Sequence, residues 1–397
     1  MKVKKVEPRL SASADDIDSV IAQMSKLYGE GAVVKGKSVK PVTWISTGVA
    51  ALDFITGGGF PINRCAEIRG MFSSLKTTVT LKTIKAFQQL KTRRRKIAAY
   101  VDFERTFDPS YATKLGINND DLLLLAPDSG EQASDMILKL TELDADILVI
   151  VDSIAAMTPS DEIEASADQQ FMGLQARMLN RFFRRVTGRM RRGLYIPDAP
   201  SFTLIAINQL RQKVGVVYGS NETTPGGEGK NYYYSVIMRL SSSPSDRIME
   251  KVTKNGVEKS LRVGQNIKFS VLKNKCSSSQ HEDGEVVYYV RDHKGYAPHT
   301  FDNDEALFRM GVYYGVIKVS EDNPKEFVLN EASYSEGKLK KLFREDESAS
   351  EDARLLILDA IHFEKQDEVE EDELSEEEDA PKLLTKKINI TKKGQSK

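Results

Sequence analysis

Two stretches, Ile147-Leu-Val-Ile-Val-Asp152 and Phe202-Thr-Leu-Ile-Ala-Ile207, are apolar at almost every consecutive position. A strand with one wet face alternates apolar and polar residues, so an unbroken apolar run belongs to a strand covered on both faces. Other strand patterns fall at Ala66–Ile68, Lys96–Asp102 and Leu122–Leu125. Helical patterns fall between them, from Lys76 to about Leu90, around Pro109–Leu115, across Gly130–Leu143 and from Met172 to about Met190. Strands alternating with helices imply an α/β fold with a mostly parallel central sheet. Ligands of such sheets sit at the C-terminal strand ends. Gly70, Glu104, Asp152 and Gln209 all fall there.

The first of these strand–helix turns reads Gly70-Met-Phe-Ser73-Ser74-Leu75-Lys76-Thr77-Thr78. It matches a nucleotide phosphate loop, Gly-x4-Gly-Lys-Ser/Thr, except that Leu75 replaces the second Gly. In such a loop the backbone N–H groups and the helix N-terminus face phosphate oxygens. Lys76 is placed for the β and γ phosphates, and the Thr77 hydroxyl for Mg²⁺. If position 75 requires a positive φ, Leu costs roughly 1–2 kcal/mol there. A second carboxylate near Mg²⁺ is expected at the end of a neighbouring strand, and Asp152 fits. Glu104, at the end of the strand after the loop helix, is the candidate to activate water.

Charge is unevenly spread. The formal net charge is −1. Yet Asp367 to Asp379 holds ten carboxylates and no base, so the remainder is basic. Residues 169–197 hold seven arginines and no acid, and Lys382 to Lys397 holds six lysines. A basic body with an acidic tail suits a nucleic-acid binder whose tail competes for the same surface. No run is long and apolar enough to span a membrane. Cys65 and Cys276 offer neither a disulfide framework nor metal spacing, which fits a reducing, cytoplasmic setting. The four histidines have no ligand-like spacing either.

Residues 14–28 carry apolar side chains at 17, 20, 21, 24 and 27, a helical spacing. This helix packs either on its own core or on a neighbour. Asn255-Gly256 between alternating segments signals a hairpin. Gln265–Leu272 and Glu285–Val290 read as further strands. Residues 301–360 read as a small mixed module, and the chain beyond about 364 is too charged to fold alone.

Taken in order, nine segments resemble the bacterial RecA family of ATP-dependent DNA recombinases, from about residue 18 to about 330. They are Ser46-Thr-Gly-Val-Ala-Ala-Leu-Asp53; Glu67 to Thr78; Val101-Asp-Phe-Glu104-Arg-Thr-Phe-Asp108-Pro-Ser-Tyr111-Ala; Pro127-Asp-Ser-Gly-Glu-Gln; Val151-Asp-Ser-Ile-Ala-Ala-Met-Thr-Pro159; Met172-Gly-Leu-Gln-Ala-Arg-Met178; Ile207-Asn-Gln-Leu-Arg211; Gly219-Ser-Asn-Glu-Thr-Thr-Pro-Gly-Gly227; and Lys273-Asn-Lys275. The resemblance implies a RecA-like P-loop NTPase core, an N-terminal polymerisation helix and a small α/β C-terminal domain. Its expected limits are 1–45 for the docking helix and linker, 46–285 for the core, 286–363 for the small domain and 364–397 for a disordered tail.

The resemblance also implies roles. Glu104 would activate water. Asp108 and Tyr111 would contact adenine. Asp152 would sit on the Mg²⁺ side, through water. Gln209 would sense the γ-phosphate, and Lys273 and Lys275 would reach the γ-phosphate of an adjacent subunit. DNA would meet two loops. The first carries Met172 and Gly173 and leads into Arg177, Asn180, Arg181 and Arg184; the second carries Lys213, Val214, Thr223, Gly226 and Gly227. Neither loop holds a sequence-reading motif, so binding is expected to be sequence-neutral.

The implied protein is a DNA-dependent ATPase that forms a helical homo-oligomeric filament on single-stranded DNA and exchanges strands with homologous duplex. Its tail is a candidate docking segment for single-strand-binding or loader proteins. The departures are Leu75, the aromatics Tyr232-Tyr-Tyr234, a longer Arg189–Pro200 stretch and the Lys-rich end. Two rivals remain: a filament that binds ATP but scarcely hydrolyses it, and a RecA-core helicase or regulatory ATPase.

Overall fold

In the computed structural model the two doubly apolar runs lie side by side in a central sheet. Residues 14–165, 173–196, 198–212, 222–277 and 282–375 are described. Among them the sheet has ten strands. Six run parallel in the spatial order Tyr234–Ser241, Cys65–Gly70, Phe202–Gln209, Asp146–Asp152, Lys96–Asp102 and Leu122–Leu125. Beyond Tyr234–Ser241 the sheet turns antiparallel through Val257–Asn274, Asp283–Tyr289 and Thr300–Phe301, with Arg247–Lys254 paired to Val257–Asn274.

Side chains on the central strands divide by parity, because successive residues point to opposite faces. Leu148 and Ile150 pack with Val79, Ile84 and Phe87 of the loop helix Lys76–Gln89. Ile147, Val149 and Val151 pack with Ile137 of Gly130–Leu140 and with Phe182, Phe183 and Val186 of Leu174–Tyr195. Both faces are therefore covered, as the unbroken apolar runs required. Truncating such a side chain, Phe183→Ala for example, costs about 3–5 kcal/mol.

The hairpin expected at Asn255-Gly256 is present, with φ of 53° and 76° at the two turn residues. Both angles are positive, as the tight turn demands. The helix Ala14–Tyr28 leaves its apolar stripe open, with Leu27 75% and Tyr28 69% exposed.

Two expected limits move. The central sheet runs past residue 285, since Asp283–Tyr289 straddles that point and pairs with Thr300–Phe301. The last helix, Glu347–Ser375, runs past residue 363. It enters the acidic run that was expected to be unstructured. Residues 376–397, including the six-lysine end, lie outside the described residues.

The C-terminal module holds the helix Asn303–Tyr313, a three-stranded antiparallel sheet and the helices Glu336–Glu345 and Glu347–Ser375. Its core includes Ala50 and Phe54 from the helix Ala50–Thr56. Polar links fix it further. Arg354 reaches the buried Asp53 carboxylate at 3.3 Å, and Asn303 bonds both Ala50 N and Gly48 O.

Candidate nucleotide site and basic loop face

The strand Cys65–Gly70 ends in a loop whose backbone is bent by two non-glycine residues at positive φ, Ser73 at 57° and Leu75 at 64°. Leu75 is the residue before the helix Lys76–Gln89 and is left-handed there. The condition set by the sequence is thus met, and Leu carries the roughly 1–2 kcal/mol cost of that conformation. Its side chain is half-buried against the core, which offsets part of it. Gly70 is required for a different reason: a Cβ there would lie 2.2 Å from Leu240 O. Lys76 Nζ donates to Gly70 O at 3.0 Å and Met71 O at 2.7 Å, at the mouth of the loop. Burial pulls the Lys76 pKa down, while Asp152 and Glu104 pull it up.

Gly70 and Gln209 are register partners, and so are Asp102 and Asp152. Four adjacent parallel strands therefore end together. Thr77 Oγ1 donates to Asp152 Oδ2 at 2.9 Å, and Tyr100 OH donates to the same oxygen. Burial raises the Asp152 pKa; the Tyr100 and Thr77 hydrogen bonds oppose it and Glu104 adds to it. Exposed Glu104 accepts from Ser153 Oγ at 2.9 Å and Gln209 Nε2 at 2.8 Å. A water-activating candidate and a γ-phosphate-sensing candidate thus touch directly. The Thr77 hydroxyl and Asp152 carboxylate are hard oxygen donors of the kind Mg²⁺ takes.

Lys273 and Lys275 do not join this group. Lys273 pairs with Ile237, which pairs with Glu67, three residues before Gly70. Their strand runs antiparallel, so the Lys273–Lys275 segment leaves the sheet at the edge opposite the loop. Lys273 Nζ donates to Asn231 O, and Lys275 is exposed. Burial and then Lys275 lower the Lys273 pKa.

A cavity of about 280 Å³ runs from Thr77 past Tyr100 and Phe107 to Asp108, Tyr111, Lys114 and His299. Asp108 caps the helix Pro109–Lys114, its Oδ1 accepting from Ser110 N and Tyr111 N. The Ser110 side-chain hydroxyl first, and then the Tyr111 and Ser110 N–H bonds, hold its carboxyl below the usual range. Tyr111 OH is 2.9 Å from Thr78 Oγ1.

On the other face, Leu174–Tyr195 buries Leu179, Phe182, Phe183, Val186 and Met190 and exposes Arg177, Arg181 and Arg184 along one stripe. Not every arginine of this segment lacks an acid: Arg185 meets Asp135 at 3.3 Å. Asn180 turns its amide back onto Ala176 O at 2.8 Å. The end of the second loop lies on this helix, where a Cβ at Gly226 would meet Leu179 and one at Gly227 would meet Ala176. Thr223 lies in the loop stem, paired with Arg211. Arg177, Asn180, Thr223, Gly226 and Gly227 are thus brought into one region, and Gly173 lies just before the helix at φ 75°. Met172, Lys213 and Val214 lie outside the described residues. The three tyrosines divide: Tyr232 is 80% exposed, Tyr233 stacks on Phe183, and Tyr234 is buried.

Several polar residues of the site were assigned no role from the sequence, although Ser153, Glu67 and Asn208 lie inside matched segments. Tyr100 and Ser153 hold the two acids. Buried Asn208 bonds both Glu67 and the backbone N–H of Gln209. Buried Lys230 pins the second loop through Thr224 Oγ1 at 2.8 Å and Gly227 O at 2.9 Å. The place of Ser153, Glu67 and Asn208 in matched segments and, for Glu67 and Asn208, a polar residue interrupting an apolar strand were the available signals.

A model of the RecA N-terminal domain matches residues 15–291. Protein RecA of Leptospira biflexa is 38% identical over 285 residues, covering 70% of this chain and 68% of that protein. Protein RecA of Colwellia psychrerythraea is 40% identical over 264 residues, covering 66% and 70%. Protein RecA of Tropheryma whipplei is 35% identical over 356 residues, covering 87% and 73%.

Proposed function

The chain belongs to the RecA family, and on that premise we propose that it is an ATP-dependent recombinase that coats single-stranded DNA as a helical filament and exchanges strands with homologous duplex. The observation that carries this reading is the convergence of Lys76, Thr77, Asp152, Glu104 and Gln209 at one edge of the sheet. The loop and Lys76 bind the triphosphate. Thr77 and, through water, Asp152 would hold Mg²⁺, which would supply charge neutralisation for the triphosphate. Glu104 accepts a proton from the attacking water. Gln209, already on Glu104, links the γ-phosphate position to the second loop, which begins at the next residues.

Lys273 and Lys275 complete the site of an adjacent copy, because they cannot reach their own phosphate loop. The open apolar stripe of Ala14–Tyr28 docks on that same neighbour. Arg177, Arg181 and Arg184 neutralise DNA phosphates, so binding is salt-dependent. The acidic tail competes with DNA for them and offers a docking segment for loader proteins.

Leu75 at φ 64° supports a second reading, a filament that binds ATP but turns it over slowly. Steady-state ATPase and strand exchange, with and without single-stranded DNA, separate the two in the parent and in Leu75→Gly. Turnover stimulated by DNA in the parent supports the recombinase. DNA coating without turnover in the parent, with turnover gained in Leu75→Gly, supports the slow filament. No unwinding of a forked duplex lacking a homologous strand is expected.

A further inference from the structure

His299 closes one wall of the cavity that starts at Thr77, although it belongs to the antiparallel end of the sheet. Its placement is built. The preceding turn is pinned by His293 N to Tyr296 O at 3.1 Å and Tyr296 N to His293 O at 2.9 Å. Tyr296 stacks on Tyr289 at 4.3 Å, and the Arg344 guanidinium lies over Tyr296 at 3.9 Å. Arg344 also pairs with Asp304 at 2.7 Å, so the C-terminal module holds this turn. His299 itself sits at φ 65°.

The ring ends a chain of hydrogen bonds that starts beside the phosphate loop. Thr78 Oγ1 is 2.9 Å from Tyr111 OH, which is 3.0 Å from Tyr288 OH, which is 3.2 Å from His299 Nδ1. The imidazole stands edge-on to Tyr111, with centroids 5.2 Å apart. Burial, Lys114 and Lys82 all disfavour its protonation. A neutral ring has one donor and one acceptor nitrogen. In the tautomer in which Tyr288 OH donates to Nδ1, the proton stands on Nε2.

We propose that His299 is a specificity-determining residue for the nucleotide base, its Nε2–H paired with the Asp108 carboxylate as a donor and an acceptor lining one cavity. An adenine edge offers an acceptor at N1 and a donor at the 6-amino group, which complements that pair. A guanine edge offers a donor at N1 and an acceptor at O6, which opposes it. A donor facing a donor, or an acceptor facing an acceptor, disfavours the wrong base; with Asp108 exposed and His299 half-buried, the discrimination is modest. This inference rests on the ATP-site reading above.

The test is equilibrium binding of ATP, GTP and inorganic tripolyphosphate to the full chain with Mg²⁺, comparing the parent, His299→Phe and His299→Asn. Asn tolerates the positive φ, so it keeps the fold test open if Phe disturbs the turn. Thermal unfolding checks both variants. The parent is expected to prefer ATP to GTP, and His299→Phe to cut that preference about tenfold. His299→Asn, whose shorter side chain cannot span the same gap, is expected to weaken ATP binding. Tripolyphosphate affinity is expected to stay the same throughout. An ATP-to-GTP ratio equal in the parent and both folded variants overturns the role of His299. A parent that binds tripolyphosphate and ATP alike overturns base recognition in this cavity. A parent that binds none of the three overturns the ATP-site reading instead.

Discussion

On the parallel half of the sheet, Gly70, Asp102, Asp152 and Gln209 end their strands side by side. On the antiparallel half, the strand Val257–Asn274 runs the other way and delivers Lys273 and Lys275 to the opposite edge. Strand direction alone makes the difference. Parallel strands gather their C-terminal ends at one edge, and an antiparallel neighbour sends its own end away. One half therefore holds acids, hydroxyls and a lysine around a phosphate loop. The other holds two lysines with no phosphate loop in reach. On the proposed reading, the contrast teaches that a single copy carries both parts of a site but cannot bring them together.

The largest expected effect tests that division directly. Glu104→Gln is expected to lower DNA-stimulated ATP turnover by roughly 10²–10⁴-fold, the usual worth of a positioned acid or base. The double variant Lys273→Ala/Lys275→Ala is expected to lose roughly 10²-fold or more, as a lost charge-stabilising contact does. Mixing the two proteins sharpens the test. A junction that joins an intact Glu104 side to an intact lysine pair regains turnover. A mixture no more active than its components breaks the comparison, and steady-state ATPase against mixing ratio reads it.

A smaller effect probes the face that neither half of the comparison includes. Replacing Arg177, Arg181 and Arg184 by Ala is expected to flatten the slope of log affinity against log salt for single-stranded DNA by about 2. An unchanged slope removes these arginines from the DNA surface.

The smallest effect lies just past the last antiparallel strand. Burial raises the Asp302 carboxyl to about 6, with Asp304 adding to it. The folded-state value thus lies above the unfolded one. That contribution to stability is present at low pH and is lost as pH rises through about 6. Asp302→Asn is therefore expected to stabilise the chain at pH 8 by about 1 kcal/mol, discounted for partial exposure, and to do little below pH 4. Denaturant melts at both pH values check it. The parallel half is expected to be indifferent to this change.

The parallel half was legible because its central strands are buried on both faces, so their residues leave no alternative to a covered sheet; only the edge strand Leu122–Leu125 exposes side chains, at Leu123 and Leu124. The antiparallel half was less so. The strand Val257–Asn274 was read in two pieces, the arm after the Asn255-Gly256 turn and Gln265–Leu272, because its exposed first residues and its buried later ones do not share one burial pattern. The phosphate loop and the ends at Glu104, Asp152 and Gln209 followed from motif and position. Lys230, Glu67 and Asn208 did not, because a buried polar residue is specified by partners distant in sequence. Asn208 meets Glu67 from 141 residues away. His299 was hidden for the same reason: its neighbours in the cavity lie far back along the chain, near Thr77 and Tyr111.

The outward run of Lys273 and Lys275 has an arithmetic consequence. If these lysines complete a neighbour's site, as proposed, any open stack of copies contains one fewer finished junction than it has members. The member at one terminus presents a phosphate loop that no lysines face, and the member at the other presents lysines with nothing to face. Short stacks are then poor catalysts per copy, and activity per copy climbs with length. The two termini are also chemically unlike, so gain and loss of copies proceed at different rates at each, and the assembly has a direction.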